Sequence, residues 1–594
     1  MAGIDAFALL VEEMKSDDVV EQVEAAKRIN TIALGMGAEK AKAQLLPFLR
    51  TCVDEYTDEI LLAIAEVAGT MVKALGGGEF AHNLVPILEA LAEKDETIVR
   101  TKAVESLVII GKEMPANQIQ AEVLPLLKRL SSADFFPSRI SAAGLFATVY
   151  PSTPAPMRPA IRKQYETLAK DEMPMVRSAA FAHMPALAAV VEKEVYSAEI
   201  SPLFNELSAD LQESVRELAV QNMVDMVKTL SPDEAAKYFG TFFDNCQNEK
   251  CSAMRVTKAK HFVTLASAMN PARPVKDQVP AFLQLLAGDL EMEVRNAAAG
   301  NIADFCSKLD GQTVLGQILP VLRDLSKPQD EAAMGGAMSN QQVRECIAEQ
   351  ICSLAPVLGR EGSINELLPL VKLFLADEII ELKRKVLGAV APLVETLGAD
   401  AADAHLLPEV LKMSADTQWR VRFSVVETIP VYAQHLGMDL FHSRLKDVQA
   451  RALSDSVAQI REQAIKNLND LTTKFGESWT REQMLPGIQE AAKGTGPASY
   501  LGRITALQAV GQLASSISAS VLANELVALV VVPLARDRVT NVRIAASDAL
   551  YRCMGKLKAE NSGMVKETIQ PILAELSQDP DPDVKYFAEL AMRM

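Results

Sequence analysis

The sequence predicts an all-α fold, a superhelix of about fifteen stacked two-helix repeats. Three observations predict it. An apolar-Pro-apolar signature recurs along the chain, as in Leu45-Leu46-Pro47-Phe48-Leu49, Leu84-Val85-Pro86-Ile87-Leu88 and Val123-Leu124-Pro125-Leu126-Leu127. A second signature, Val-Arg or a close variant, falls at Arg100, Arg139, Arg177, Arg216, Arg255, Arg295, Arg344, Lys383, Arg422, Arg461, Arg503, Arg543 and Lys585, mostly at steps of 38 to 40 residues. The two are phase-locked: Pro86 to Arg100, Pro125 to Arg139, Pro202 to Arg216 and Pro408 to Arg422 are each fourteen residues apart. A fixed period of this length marks repeat architectures. With degenerate copies near Glu24 and Leu61, units of roughly 39 residues fill the chain and leave no room for a separate domain.

Each element of the unit has a physical reason. A helical apolar pattern surrounds the Pro, as in Asn83 to Ala92, and the Pro is expected to kink that helix because it lacks an N–H and its ring crowds the preceding turn. A polar turn follows, Glu93 to Thr97. The second helix, Ile98 to Ile110, carries Val99, Ala103, Val104 and Leu107 at the spacing of one buried face. A helix pair cannot bury both of its faces alone, so neighbours must stack. These are the marks of a HEAT-type solenoid.

The composition agrees. Apolar residues are 49% of the chain and aromatics only 5%, a balance typical of packed helices rather than of sheets. The net charge of −17 argues against nucleic-acid binding, which needs a basic face. The apolar run from Leu526 to Ala535 is too short to cross a bilayer, so membrane insertion is not expected. Seven irregularly spaced cysteines (Cys52, Cys246, Cys251, Cys306, Cys346, Cys352 and Cys553) suit reduced thiols. With no signal peptide visible at the amino terminus, a cytoplasmic location is expected, with nuclear access open.

The repeated Arg sits in the first turn of the second helix, where the macrodipole disfavours a cation. Asp95, Asp210, Asp416 and Asp537 lie close by in sequence. A ladder in which each Arg pairs with an Asp of its own or the adjacent unit accounts for most of these arginines. No catalytic set emerges. The six histidines lack metal or nucleophile context, and the Cys246–Cys251 and Cys346–Cys352 spacings lack further ligands. No metal and no cofactor is expected. Gly76-Gly77-Gly78 reads as a helix end and inter-repeat turn rather than a phosphate loop.

What remains is surface. The turns inside successive units form an edge along which solenoids bind partners. Gln418-Trp419-Arg420-Val421-Arg422 puts one of only two Trp in such a turn, and Trp and Arg are enriched at interface hot spots. Ser499-Tyr500-Leu501-Gly502-Arg503 places Tyr and Arg on the corresponding segment two units later. Trp479, at a unit boundary, reads as structural. The step from Pro320 to Arg344 is ten residues longer than usual, and the extra material, 328–340, is expected to form a loop.

These residues resemble the scaffold (A) subunit family of protein serine/threonine phosphatase 2A, from end to end. The likeness is carried by Thr31-Ile-Ala-Leu34, Leu45 to Leu49, Lys102-Ala-Val-Glu-Ser-Leu107, Ser138-Arg139, Gly144-Leu-Phe146, Pro174-Met-Val-Arg177, Trp419 to Arg422 and Asp583-Val-Lys-Tyr-Phe-Ala-Glu589. The resemblance implies that repeats 11–15, residues 401–594, hold a phosphatase 2A catalytic subunit. Repeats 1–10, residues 1–400, would hold interchangeable regulatory (B-type) subunits. By position, Trp419, Arg420, Tyr500, Arg503, Val539 and Asn541 would contact the catalytic subunit. Glu59, Glu96, Asp134, Phe135, Glu172 and Arg177 would contact the regulatory one. The chain departs from the family at Lys250-Cys251-Ser252, where a Trp-Arg is usual, at Ala458 in place of an aromatic, and at Ser178 in place of an Arg.

The leading expectation is a non-enzymatic scaffold. The alternative is a HEAT-repeat transport or assembly adaptor that binds cargo on its concave face without any phosphatase. An enzyme ranks last, for want of a nucleophile, an acid–base pair or a metal set.

Overall fold

The computed structural model describes residues 6–328, 340–494 and 500–594. Helices dominate, and among the described residues there is no strand. Most of the 328–340 insertion, and Ser499, lie outside the described residues.

The repeat has the expected two helices, with sharper detail at the Pro. In several units the chain widens into a single π-helical turn immediately before it. Ala41–Leu45 precedes Leu46–Glu55, Ile119–Val123 precedes Leu124–Ser131, and Tyr196–Ile200 precedes Ser201–Ser208. The same holds for Val314–Ile318 before Leu319–Ser326 and Val565–Ile569 before Gln570–Leu576. Because Pro removes one donor and crowds the carbonyl four residues back, the local ladder shifts to the wider spacing, a recognised cause of helix bending. In the third repeat the 3-10 turn Gly78–Leu84 does the same task before Val85–Ala92.

Gly76 and Gly77 have φ of 105° and 111°, values that side chains oppose. A Cβ at Gly78 would lie 2.0 Å from the Glu113 carbonyl oxygen. The triplet is therefore a helix end and an inter-repeat turn packed on the next repeat.

Packing divides the chain into two compact units, one ending at Leu285 and the other starting at Leu286. In the first, the second helices stack in order: Asp58–Ala68 on Thr97–Glu113, Phe136–Ala143 on Pro174–Ala188, and Pro174–Ala188 on Leu218–Met226. In the second unit, Trp419–Leu436 packs on Ala458–Phe475, which packs on Tyr500–Leu513, followed by Thr540–Glu560 and Pro582–Arg593. The residue 400/401 boundary falls just after Gly398, whose φ of 71° breaks the segment Ala391–His405 into two helices, and it lies within the second compact unit.

The expected apolar face is buried: Val99, Ala103 and Leu107 are at most 1% exposed. Buried polar side chains stitch one second helix to the preceding one at a constant offset. Ser106 Oγ donates to the Ala65 carbonyl (2.6 Å), Asn222 Nδ2 to Phe181 (2.8 Å) and Asn467 Nδ2 to Val426 (2.7 Å), each 41 residues back. Satisfying such buried groups fixes register as well as contact.

Candidate protein-binding turns

The turn between the two helices of a repeat is held by its Arg. In the eleventh repeat, Arg422 Nη1 donates to the Asp416 and Thr417 carbonyls (2.8 and 3.3 Å), while Nε and Nη2 fork the Asp455 carboxylate of the next repeat (2.9 and 3.0 Å). Arg177 does the same with the Asp171 carbonyl (2.8 Å) and Asp210 (2.7 and 2.9 Å). Arg139 forks Asp171, Arg503 forks Asp537, and Arg543 forks Asp579. Arg344 reaches Asp377, and Lys383 lies 3.7 Å from Asp416. The ladder is real, and it has a direction. An Arg takes carbonyls from its own turn and a carboxylate from the following repeat.

The Asp has a second task. Its other contact caps the backbone two residues on: Asp210 accepts from Gln212 N (2.8 Å), Asp416 from Gln418 N (2.8 Å), Asp455 from Val457 N (2.9 Å) and Asp537 from Val539 N (2.8 Å). Each of these four turns is thus braced before any partner arrives. Hydrogen bonding to Arg177 and Arg543 holds the Asp210 and Asp579 carboxyls below their ordinary value, and the arginines rise in return.

On this frame the residues expected to contact a catalytic subunit take distinct positions. Trp419 begins its helix half-buried, with the Arg420 guanidinium 4.8 Å over its ring and Phe423 edge-on at 6.5 Å. Arg420 and Asn541 are exposed, and Tyr500 and Val539 are half-buried. Arg503 is different: it is 4% exposed and locked to Asp537 and the Gly494 carbonyl. It is committed to the ladder and offers a partner little free surface. Arg177 is likewise engaged with Asp210. Glu59, Glu96, Asp134, Phe135 and Glu172 are all exposed, on turns of the first unit. Trp479 is buried against Phe475 and Phe441, with centroids at 4.9 and 5.9 Å.

The structure adds residues that sequence reasoning missed. Leu211 and Leu290 are 95% and 77% exposed on intra-repeat turns, and Ile98 and Met175 are 59% and 53% exposed in the first turn of the helices that follow such turns. Their signal was an apolar residue where the turn is otherwise polar. Exposed apolar groups beside rigid polar turns suit protein contact.

Chemistry is sparse. Burial pushes the Cys52, Cys306, Cys352 and Cys553 thiols up to about 12, which suppresses the reactive thiolate. Glu213, Glu217 and Cys251 bring one ligand atom each within 4.8 Å of one another. Burial and a hydrogen bond to Glu213 raise the Cys251 thiol. Among the described residues no helix is long and apolar enough to cross a membrane.

Stacked helical pairs with Pro-bent first helices and an Arg–Asp ladder define a HEAT-repeat protein. Residues 275–332 match the family model described as PPP2R1A-like HEAT repeat. The human beta isoform of the 65 kDa regulatory (A) subunit of serine/threonine-protein phosphatase 2A is 36% identical over 386 residues, covering 64% of this chain and 62% of that one. The protein phosphatase 2A scaffold subunit of Dictyostelium discoideum is 40% identical over 196 residues (33% and 34%), and the 65 kDa regulatory subunit of Drosophila melanogaster 44% over 188 (32% of each). The chain is a homologue of these phosphatase 2A scaffold and 65 kDa regulatory subunits, and the alignments span from about a third to 62% of their lengths. A solved structure of Kap95p with RanGDP superposes with a TM-score of 0.56 at 14% identity, covering 98% of this chain and 74% of that one, a likeness of fold alone.

Proposed function

We propose that the chain is a non-enzymatic scaffold that assembles a protein serine/threonine phosphatase 2A holoenzyme. The turns of residues 401–594 would hold the catalytic subunit, and those of residues 1–400 an interchangeable regulatory subunit. Cytoplasmic residence, with access to the nucleus, fits the same reading. The observation that carries it is the Trp419–Arg420 stack, an aromatic and a guanidinium presented together on a turn that Arg422 and Asp455 keep rigid. The homology to phosphatase 2A scaffold subunits supports it.

The mechanism is one of effective concentration. Two partners held on one chain meet far more often than in bulk. Rigid turns lower the ordering cost of docking, which is the physical use of the ladder beneath them. The reaction itself belongs to the bound catalytic subunit.

The test is binding of the full-length chain to purified phosphatase 2A catalytic subunit, with Trp419→Ala alongside. Retention by the wild type and release by the variant support the scaffold. At micromolar concentration, wild-type chain that fails to retain the catalytic subunit removes the proposal.

A further inference from the structure

Among the described residues three rungs of the ladder show no acid, at Arg100, Arg295 and Arg461, where the sequence places Ala133, Pro328 and Gly494 at the acid's position; of these, Arg100 faces a groove. From Arg177 to Asp210, and from Arg344, Lys383 and Arg422 to their acids, the offset is 33 residues. From Arg100 the same offset arrives at Ala133. Arg100 is 5% exposed. Its Nη1 donates to the Lys94 and Asp95 carbonyls (2.6 and 2.5 Å) and its Nη2 to Thr97 Oγ1 (3.0 Å), but its Nε has no acceptor. Among the described residues no carboxylate bonds it. Asp95 and Glu96 act on it only through space.

Arg100 and Thr97 also line a groove of about 510 Å³. The rest of its wall is largely apolar, including Val104, Val108, Ile140 and Ala147. Gly144 opens it, since a Cβ there would lie 2.6 Å from Val104 Cγ1. An apolar cleft of this size with few polar groups, one of them a buried and under-satisfied cation, is the usual anatomy of a small-ligand site. A buried donor without an acceptor is costly, and guanidinium edges pair with carboxylates in parallel hydrogen bonds.

The geometry points to a binding site for a small apolar carboxylate in this groove. The ligand's carboxylate would take the Nε/Nη2 edge of Arg100, as Asp does on the paired rungs, with its hydrocarbon part along Val104, Val108 and Ile140. Glu105 also lines the groove but is paired with Lys102 at 2.7 Å, so its charge is offset. The inference is independent of the scaffold reading, because it concerns a small molecule and no partner chain.

The test uses the full-length chain, with hydrocinnamate and its neutral amide as probes in calorimetric titration. Hydrocinnamate should bind at least about tenfold more tightly than the amide, the factor expected from a charged hydrogen bond. Ala133→Asp should supply the missing acid from within the chain, raise resistance to denaturant, and weaken hydrocinnamate at least about tenfold. Ala147→Leu, which narrows the groove without touching the ladder, should weaken both probes. Equal affinity for acid and amide overturns the assignment. So does unchanged hydrocinnamate binding in a folded Ala133→Asp chain, or no binding at millimolar acid.

Discussion

Arg422 and Asp455 stand 33 residues apart in sequence, yet they share two hydrogen bonds of 2.9 and 3.0 Å that join adjacent repeats. The pair is mostly shielded, with side chains 18% and 14% exposed. Replacing Asp455 by Asn should therefore cost about 2 kcal/mol, the usual worth of a charged hydrogen bond. In a repeat array the loss is local. Amide hydrogen exchange should accelerate around 416–422 and 455–461 and stay unchanged near the amino terminus. Uniform exchange in variant and wild type would mean that the rung contributes nothing.

The two tryptophans should separate binding from stability. Trp419 is half-buried on a turn, so Trp419→Ala should lower affinity for a phosphatase catalytic subunit by about 2 kcal/mol, roughly thirtyfold, with little change in thermal unfolding. Trp479 fills a cluster with Phe441 and Phe475. Its truncation should destabilise by about 3 kcal/mol or more. An inverted pattern, melting loss at Trp419 and binding loss at Trp479, would refute the assignment.

Acid should loosen the ladder before it unfolds isolated helices. Asp210 and Asp579 have carboxyls held below 3.8 by their arginines. A folded-state value below the unfolded one means that the stabilisation is complete above the unfolded value. It is lost as pH falls through the folded one. Stability measured by denaturant should thus fall below about pH 4, and less steeply in a chain carrying Asp210→Asn and Asp579→Asn.

Lys258 sets a trend of the same sign on the alkaline side. Its ammonium is 1% exposed, donates to the Phe243 carbonyl and lies 4.4 Å over the Phe243 ring. Burial pulls it down to about 8 from an ordinary 10.5. A lowered lysine binds its proton more weakly when folded, so stability should rise as pH climbs from about 8 towards 10.5. Lys258→Met should flatten that rise. A slope that survives the substitution would place its origin elsewhere.

The period and its two registers were enough to read the repeat, because a 39-residue stacking unit imprints the same Pro and Arg each time. The form of the Pro bend was not legible: whether the chain relaxes into a π turn or a 3-10 turn depends on packing around Leu45 or Leu84. The ladder was legible in kind but not in direction, since Asp416 neighbours Arg422 in sequence while its carboxylate serves Lys383. Arg503 shows the limit for the site. Its neighbours in sequence suggest a contact, and only burial shows it turned inward. Leu211 shows the converse, a single exposed side chain that periodicity has no reason to single out.

The handedness of the ladder gives the chain two unequal ends. Inside each compact unit, an arginine depends on an acid that is translated later, whereas an acid still caps its own turn when the preceding arginine is gone. A break that removes downstream repeats strands a guanidinium with nothing to fork. One that removes upstream repeats leaves a finished turn. Nascent chains therefore settle each joint only when the next turn emerges, and shortened forms should tolerate loss from the front better than from the back.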